Sequence, residues 1–147
     1  MTRSVSRTVV IDAPADQIFA LLADPRRHPD FDGSGTVKGQ LKAPPTLSKG
    51  ARFGMSMRVV VPYTITNEVV EFEQDRLIAW RHFGHHVWRY ELEPLDDKDG
   101  GGTRVTETFD WSGARSPRFI ELMGYPKKNA DSMDKTLVRL KSLVEAS

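Results

Sequence analysis

The sequence predicts an α+β domain in which a curved antiparallel sheet closes over one long C-terminal helix. The first observation is a stretch at residues 126–144 whose apolar side chains recur every three or four positions, the spacing of one helix face. The second is an upstream run of about six alternating segments without intervening helices, which is typical of an antiparallel sheet. We therefore expect the apolar stripe of the helix to face the sheet. The stripe consists of Ala130, Met133, Leu137, Leu140 and Val144.

The remaining elements follow from periodicity and from turn residues. Alternation of apolar and polar residues predicts strands, whereas Pro14, Pro25 and Pro117 mark helix starts or breaks. The first 35 residues are predicted to hold a strand at 4–11, a helix up to 24, a short helical turn at 26–31 and a loop at 32–35. Strands are then expected at 36–41, from 52 to Pro62, at 63–73, 76–82, 86–94 and 103–111. A short helix from 117 precedes the long one. Val69 and Val70 are adjacent, so the facing of the strand at 63–73 stays open.

The segments 76–82 and 86–94 are predicted to form a β-hairpin about residues 83–85. With a three-residue loop, large side chains from both strands share one face. The opposed pairs are then His82 with His86, Trp80 with Trp88 and Ile78 with Tyr90. A two-residue loop would separate the two tryptophans. We favour the first register because Trp88, Tyr90 and Leu92 already form one apolar phase.

Length and composition predict a single domain over residues 1–147. A net charge of +1 and a pI near 8.0 provide no large basic field, so we expect no nucleic-acid partner. With no cysteine there are no disulfides and no thiolate metal site. No stretch approaches membrane-spanning length and the first residues lack the pattern of a signal peptide, so we expect a cytoplasmic protein without an integral membrane segment.

Four segments carry a resemblance to a known superfamily. They are residues 9–25 (VVIDAPADQIFALLADP), 88–94 (WRYELEP), 101–108 (GGTRVTET) and the terminal helix. The first resembles the opening of the helix-grip (SRPBCC) superfamily of START domains, Bet v 1-like proteins and polyketide cyclase/dehydrase-like proteins, and the others resemble the closing parts of its small bacterial members. The resemblance implies a seven-stranded sheet wrapped round the C-terminal helix, with a ligand cavity between them. It implies no universal catalytic motif, and a fold alone does not define a function.

Glu107 is the clearest polar residue on an apolar phase, because it lies between Val105 and Phe109. A carboxylate there is costly unless it has a partner, and desolvation would raise its pKa into a range suited to acid–base chemistry. Two other interpretations stay open. Glu107 could pair with a lysine or arginine near a cavity mouth, or the strand could bend and expose it.

The histidines are a second group of candidates. His82, His85 and His86 cluster at the hairpin, but a catalytic zinc site needs three protein ligands and the sequence supplies no convincing third one. We therefore predict no metal and no cofactor, and interpret the cluster as a polar hairpin tip with His82 or His86 at a cavity rim. His28 is expected at the surface or in a capping contact.

The leading functional hypothesis is binding of a hydrophobic or aromatic small molecule, lipid or polyketide-like, in the internal cavity. Methionine adapts to irregular ligands, and tryptophan or tyrosine adds a polar tip to an apolar wall. Glu107 and His86 would orient the ligand, and the segment before Pro126 and the Gly33 loop could gate entry. The predicted lining is Phe31, Met55, Met57, Trp80, Trp88, Tyr90, Glu107, Phe109, Met123, Met133 and Leu137.

Two alternatives stay open. One is a cofactor-independent cyclase/dehydrase-type enzyme, with Glu107 as the base and Tyr90 or His86 stabilising an enolate. The other is an interaction or regulatory module with a vestigial pocket, in which the charged face of the long helix meets a partner. We expect a monomer or a homodimer.

Overall fold

The computed structural model describes residues 2–33, 37–42, 46–58, 62–82 and 84–146. The strands are β1 (Ser4–Ile11), β2 (Val37–Lys42), β3 (Arg52–Arg58), β4 (Pro62–Glu73), β5 (Leu77–Arg81), β6 (Val87–Pro94) and β7 (Thr103–Asp110). The α-helices are α1 (Ala15–Leu22), α2 (His28–Phe31), α3 (Pro117–Leu122) and α4 (Tyr125–Glu145), with 3-10 turns at Pro25–Arg27 and Asp97–Asp99. This element order confirms the predicted α+β class.

Within the described residues, seven strands form one sheet in the order β1-β7-β6-β5-β4-β3-β2. Every neighbouring pair in this order is antiparallel. Strands β2 to β7 follow one another as a meander, and β1 adds to the edge beside β7. The curved antiparallel sheet and the long C-terminal helix confirm the predicted architecture.

Helix α4 buries the predicted apolar stripe. The stripe residues Ala130, Met133, Leu137, Leu140 and Val144 are all buried. The helix starts directly after Gly124, which has the left-handed φ of 73° that glycine adopts readily. Its 21 residues span about 31 Å, and the helix packs mainly against β1 and β7. Among the described helices, including this one, none is long and apolar enough to cross a bilayer.

The loop after α2 touches α4 directly at Gly33. A Cβ at this position would overlap the backbone oxygen of Ser132 and the backbone nitrogen of Thr136. The Gly33 N–H donates a hydrogen bond of 2.8 Å to Thr136 Oγ1. Glycine is therefore required here for a close approach between backbones, which holds the loop after α2 against α4.

The β5–β6 hairpin adopts the favoured register. Trp80 lies opposite Trp88 and Ile78 lies opposite Tyr90. The His82 N–H donates to the His86 carbonyl oxygen at 3.0 Å, which closes the hairpin as the three-residue loop predicted. The large side chains of both strands therefore face the same side of the sheet.

An irregularity in β4 resolves the facing that the adjacent valines left open. Val69 lies opposite Trp80 and Phe72 opposite Ile78, but the register shifts between Val69 and Glu71. This shift accommodates one extra residue, as a β-bulge does. Val69 can therefore be buried on the inner face while the strand returns Phe72 to the same face.

Candidate functional site

The candidate site is built around Glu107, which projects from the inner face of β7. Tyr90 on β6 lies directly opposite it in the sheet register. The Tyr90 hydroxyl donates a hydrogen bond of 2.9 Å to Glu107 Oε2. Both residues are only 3% exposed, so the carboxyl is buried and not at a rim. The other carboxyl oxygen, Oε1, is buried and has no hydrogen-bond partner among the described residues.

The environment of Glu107 disfavours its charged form. Burial raises its pKa to about 8, the hydrogen bond from Tyr90 opposes this rise, and the negative charges of Asp32 and Asp134 add to it. Burial together with the neighbouring carboxyl also raises the pKa of Tyr90 well above its usual value. At pH 7 Tyr90 is therefore neutral and Glu107 is largely protonated, so the pair is uncharged and well suited to an apolar interior.

A basic residue lies close to Glu107 but pairs elsewhere. Arg7 on β1 is opposite Glu107 on the side away from Tyr90. Its Nε contacts Asp134 Oδ1 on α4 at 3.2 Å. Among the described residues, no lysine or arginine forms an ion pair with Glu107. The interpretation of Glu107 as half of an ion pair is therefore wrong for this part of the chain, and its burial excludes the interpretation in which the strand bends to expose it.

A cluster of aromatic rings fills one side of the interior next to Tyr90. The rings of Trp80 and Tyr90 are 5.7 Å apart. His28 stacks on Trp80 at 4.9 Å, and Phe31 and Phe53 both contact His28 edge-on. Phe31, Phe53, Trp80 and Tyr90 belong to the larger hydrophobic cluster of the domain, and the His28 ring packs among them. They provide a wide, polarisable wall on one side of the Glu107 carboxyl.

His28 is not at the surface as one prediction had it, but it makes the predicted capping contact with the carbonyl oxygen of Leu22, the last residue of α1. It is 4% exposed, and its Nε2 lies 2.9 Å from the Leu22 carbonyl oxygen. Burial lowers its pKa, so the ring is neutral and serves as part of the wall. Local sequence hid this role because His28 follows two arginines and precedes a proline. The three-residue spacing to Phe31, which puts both rings on one helix face, was the available signal.

A smaller hydrophobic cluster lies on the other side of Glu107. It contains Phe109, Trp111 and Met133, and Trp88 packs against both clusters. The Trp88 and Phe109 rings are 4.8 Å apart. Along β7, Val105 therefore belongs to the larger cluster and Phe109 to the smaller one, with the buried carboxyl of Glu107 between them.

The hairpin histidines form a stacked pair near the smaller cluster. The His82 and His86 rings are 4.7 Å apart, and His86 also contacts Phe109 edge-on. Burial lowers the pKa of each ring to about 4, with His86 adding to the effect on His82, so both are neutral at pH 7. Arg115 Nη2 lies 3.2 Å from His85 Nε2 at the exposed tip. Within the described ranges, no three His, Cys, Asp or Glu side chains come together in a way that could hold a metal ion.

The structure brings most of the predicted lining residues together. Those buried or half-buried on the inner side are Phe31, Trp80, Trp88, Tyr90, Glu107, Phe109, Met133 and Leu137. Met123 is different, because it is 43% exposed at the end of α3 and does not face the interior. The short helix turns it to solvent, which periodicity alone did not reveal. The side chains of Met55 and Met57 lie outside the described part of the structure.

A groove of about 470 Å³ lies on the opposite side of the sheet from Glu107. Its lining comes mainly from the outward phases of β4, β6 and β7, such as Glu71, Arg89 and Arg104. Arg89 forms a two-point ion pair with Glu71, at 2.8 Å for each contact. This charged groove differs in place and chemistry from the apolar internal cavity that the sequence predicted, and that cavity stays a prediction.

Comparison with known proteins finds a family model and relatives that match this chain in sequence. The sequence model of the family described as "Polyketide cyclase / dehydrase and lipid transport" matches residues 2–145. A relative from Mycobacterium tuberculosis, protein Rv0088, is 43% identical over 141 residues. That match covers 92% of this chain and 62% of the relative, so this chain spans less than two thirds of the relative's length.

Solved structures share the fold at low sequence identity. The crystal structure of protein Ms6760 from Mycobacterium smegmatis gives a TM-score of 0.72 at 18% identity, covering 99% of this chain and 92% of that one. The solution structure of the AHSA1-like protein from Aeromonas hydrophila gives a TM-score of 0.70 at 17% identity, covering 97% and 92%. Likeness at this level of identity establishes the fold and leaves the ligand to be argued from the site.

Proposed function

This chain belongs to the polyketide cyclase / dehydrase and lipid transport family, which confirms the predicted helix-grip resemblance, and on that basis we propose that it binds a hydrophobic small molecule between sheet and helix. The observation that carries the proposal is the buried Glu107 carboxyl, whose Oε1 has no hydrogen-bond partner among the described residues. Buried polar atoms normally have a partner. A polar atom of a bound ligand would supply one.

The proton and the charges around Glu107 indicate which kind of polar group this ligand carries. Oε2 already accepts the Tyr90 hydrogen bond, so Oε1 is the oxygen available to carry the proton of the neutral carboxyl. A protonated Oε1 donates, so the ligand atom it meets is an acceptor such as a carbonyl oxygen. Asp32 and Asp134 add negative charge, which disfavours a ligand carboxylate. We therefore expect a neutral ketone, ester or similar group and not a fatty-acid anion.

The apolar part of the ligand would lie against the two ring clusters that meet at Glu107. Trp80 and Tyr90 offer aromatic faces on one side, and Trp88 and Phe109 offer them on the other. Aromatic walls with one oriented polar group are typical of small-molecule sites. In the described conformation these rings contact one another, so a bulky ligand would have to separate them. A flat aromatic ligand therefore fits the proposal best.

A matched pair of probes tests this proposal. 2-Acetylnaphthalene carries a neutral ketone and 2-naphthoate carries a carboxylate on the same ring system. We expect the ketone to bind more tightly, as measured by calorimetry and by quenching of tryptophan fluorescence. Glu107→Leu, which removes the donor, should weaken ketone binding about five- to tenfold, the worth of one hydrogen bond.

Two variants serve as controls for that experiment. Glu107→Gln keeps an N–H donor and should retain most of the ketone affinity, whereas Glu91→Gln changes an exposed residue and should have no effect. Equal or tighter binding of 2-naphthoate would disprove the neutral acceptor. Native mass spectrometry of the purified protein provides a further measurement, in which a co-purified apolar compound is expected.

Proton transfer is a second candidate function, and the pKa of about 8 for Glu107 favours it. A base with a pKa near the working pH is effective at removing a proton from a carbon next to a carbonyl. The Glu107 carboxylate would take the proton and leave an enolate. Tyr90 is the neutral donor already bound to that carboxyl, and His86 is a neutral ring four residues before Tyr90 that contacts Phe109 edge-on.

The enzymatic candidate has its own test. Turnover of a polyketone should rise with pH to a midpoint near 8, because only ionised Glu107 accepts a proton. Glu107→Gln should abolish turnover while leaving binding largely intact. Unchanged turnover would remove Glu107 from the mechanism. The cytoplasmic location, the monomeric or dimeric state and the interaction alternative stay predictions.

A further inference from the structure

Helix α3 leaves one apolar face uncovered. Phe119, Leu122 and Met123 are 53%, 83% and 43% exposed, and no residue of this helix is buried. Their spacing of three and four residues places them on one face. On the other side, Ile120 packs against the smaller hydrophobic cluster. The helix is therefore attached to the domain by one side and presents three large apolar side chains on the other.

The first residue of α4 extends this surface. Tyr125 is 37% exposed, and Lys128 Nζ lies 5.6 Å from the centre of its ring. We call the residues Phe119, Leu122, Met123 and Tyr125 the α3 patch. Among the described residues, the other large exposed apolar side chains, Val10 and Val138, occur singly. Four such side chains within seven residues are therefore unusual, and a patch of this kind marks an interaction site.

Basic residues flank the α3 patch along the chain. Residues 115–130 contain four basic residues and one acid. The exposed basic residues are Arg115, Arg118, Lys127 and Lys128. The acid, Glu121, accepts hydrogen bonds from Trp111 Nε1 at 2.8 Å and from Arg3 Nε at 3.1 Å, so its charge is balanced by Arg3. The apolar side chains therefore lie within a surface of net positive charge.

We propose that the α3 patch docks on the surface of an anionic lipid bilayer. Its apolar side chains would enter the headgroup region while the four basic residues contact lipid phosphates. Apolar burial combined with attraction to anionic lipid is how amphipathic surfaces bind membranes without spanning them. An apolar patch alone would suit many partners, but the excess of cations selects a negatively charged one. This inference rests on surface residues and is independent of the proposed internal ligand.

Vesicle flotation tests the proposal directly. The full chain should bind vesicles of phosphatidylcholine with about one third phosphatidylglycerol, and bind pure phosphatidylcholine far less. Lys127→Gln with Lys128→Gln should reduce binding about 25-fold, since each basic residue near such a surface contributes about fivefold. Leu122→Gln with Met123→Gln should reduce it on the order of tenfold through lost apolar burial. These positions are exposed, so the variants should fold.

Matched controls come from exposed residues elsewhere. Val138→Gln changes an apolar side chain that is 62% exposed on α4, and Lys49→Gln with Lys98→Gln makes the same charge change away from the patch. The apolar control should leave binding within twofold, and the charge control should reduce it much less than the pair at Lys127 and Lys128.

A site-specific reporter completes the test. Because the chain has no cysteine, Leu122→Cys can be labelled uniquely with a polarity-sensitive dye, and its emission should shift to the blue on anionic vesicles while a Val138→Cys label does not respond. Absence of vesicle binding, or binding that survives both patch variants, would overturn the proposal. It would also be overturned if the Leu122 and Met123 variant instead converted a dimer to a monomer in sedimentation with vesicle binding unchanged, which would make the α3 patch a contact between two copies.

Discussion

Replacing Glu107 with glutamine should change how the stability of this protein depends on pH. Glutamine has nearly the same size as glutamate, still accepts a hydrogen bond from Tyr90, and cannot ionise. The substitution therefore removes the ionisation and little else. Since the carboxyl is 3% exposed, almost no water can hydrate its ionised form in the folded state.

The magnitude follows from the difference in pKa between the two states. The pKa is raised from 4.5 to about 8 on folding, and one pKa unit corresponds to about 1.4 kcal/mol. Below pH 4.5 the carboxyl is protonated in both states and its contribution to stability is fully present. As the pH rises, the unfolded chain releases the proton first, so stability falls until the folded carboxyl also ionises near pH 8. The total loss is about 3–5 kcal/mol.

Urea denaturation at several pH values between 4.5 and 9 measures this loss. The buried Trp80 provides the fluorescence signal, and the free energy of unfolding is obtained by linear extrapolation. The quantity to compare is the wild-type value minus the Glu107→Gln value, because other groups titrate equally in both proteins. This difference should decrease steadily as the pH rises, because only the wild type loses the contribution of Glu107, and it should level off above pH 8.

Two outcomes would contradict the raised pKa of Glu107. Parallel stability curves for the two proteins would mean that burial does not raise the pKa of Glu107. A difference that grows in the opposite direction would mean that the folded state stabilises the carboxylate. Glu91→Gln, a change at an exposed position on β6, should reproduce the wild-type curve and controls for the loss of one acid in general.

Three other substitutions test further parts of the site and fold. Tyr90→Phe removes the hydrogen bond that lowers the pKa of Glu107, so this pKa should rise further, as measured by NMR titration of the carboxyl. The free energy of unfolding at pH 7 should fall by about 1–2 kcal/mol, as measured by urea denaturation. Burial lowers the pKa of His86 to about 4, so its contribution to stability is present above pH 6.5 and is lost as the pH falls toward 4; His86→Gln should flatten that part of the curve. Gly33→Ala should cost about 2 kcal/mol because its methyl group meets the α4 backbone, whereas Gly113→Ala meets only an atom 3.8 Å away and should leave the melting temperature nearly unchanged.

Periodicity predicted those parts of the fold that depend on neighbours along the chain. The α4 stripe was predicted at 126–144 and the helix runs from Tyr125 to Glu145, because every third or fourth residue of a helix must face the core. The pairing of Trp80 with Trp88 was also predictable, since a hairpin register depends on loop length and one apolar phase. The same alternation placed Glu107 on the buried face of β7.

Other features depended on groups brought together from distant parts of the chain. The sequence placed Glu107 inside but left its partner open, and only the assembled sheet assigned Tyr90 to it while Arg7 paired with Asp134. The burial of His28 likewise arises from Trp80, which lies more than fifty positions away. The physical reason is that hydrophobic periodicity is a local property of one segment, whereas desolvation and charge pairing depend on distances in space. The amino-acid order therefore decided which faces turn inward, and the tertiary packing decided which polar groups meet there and what charge they carry.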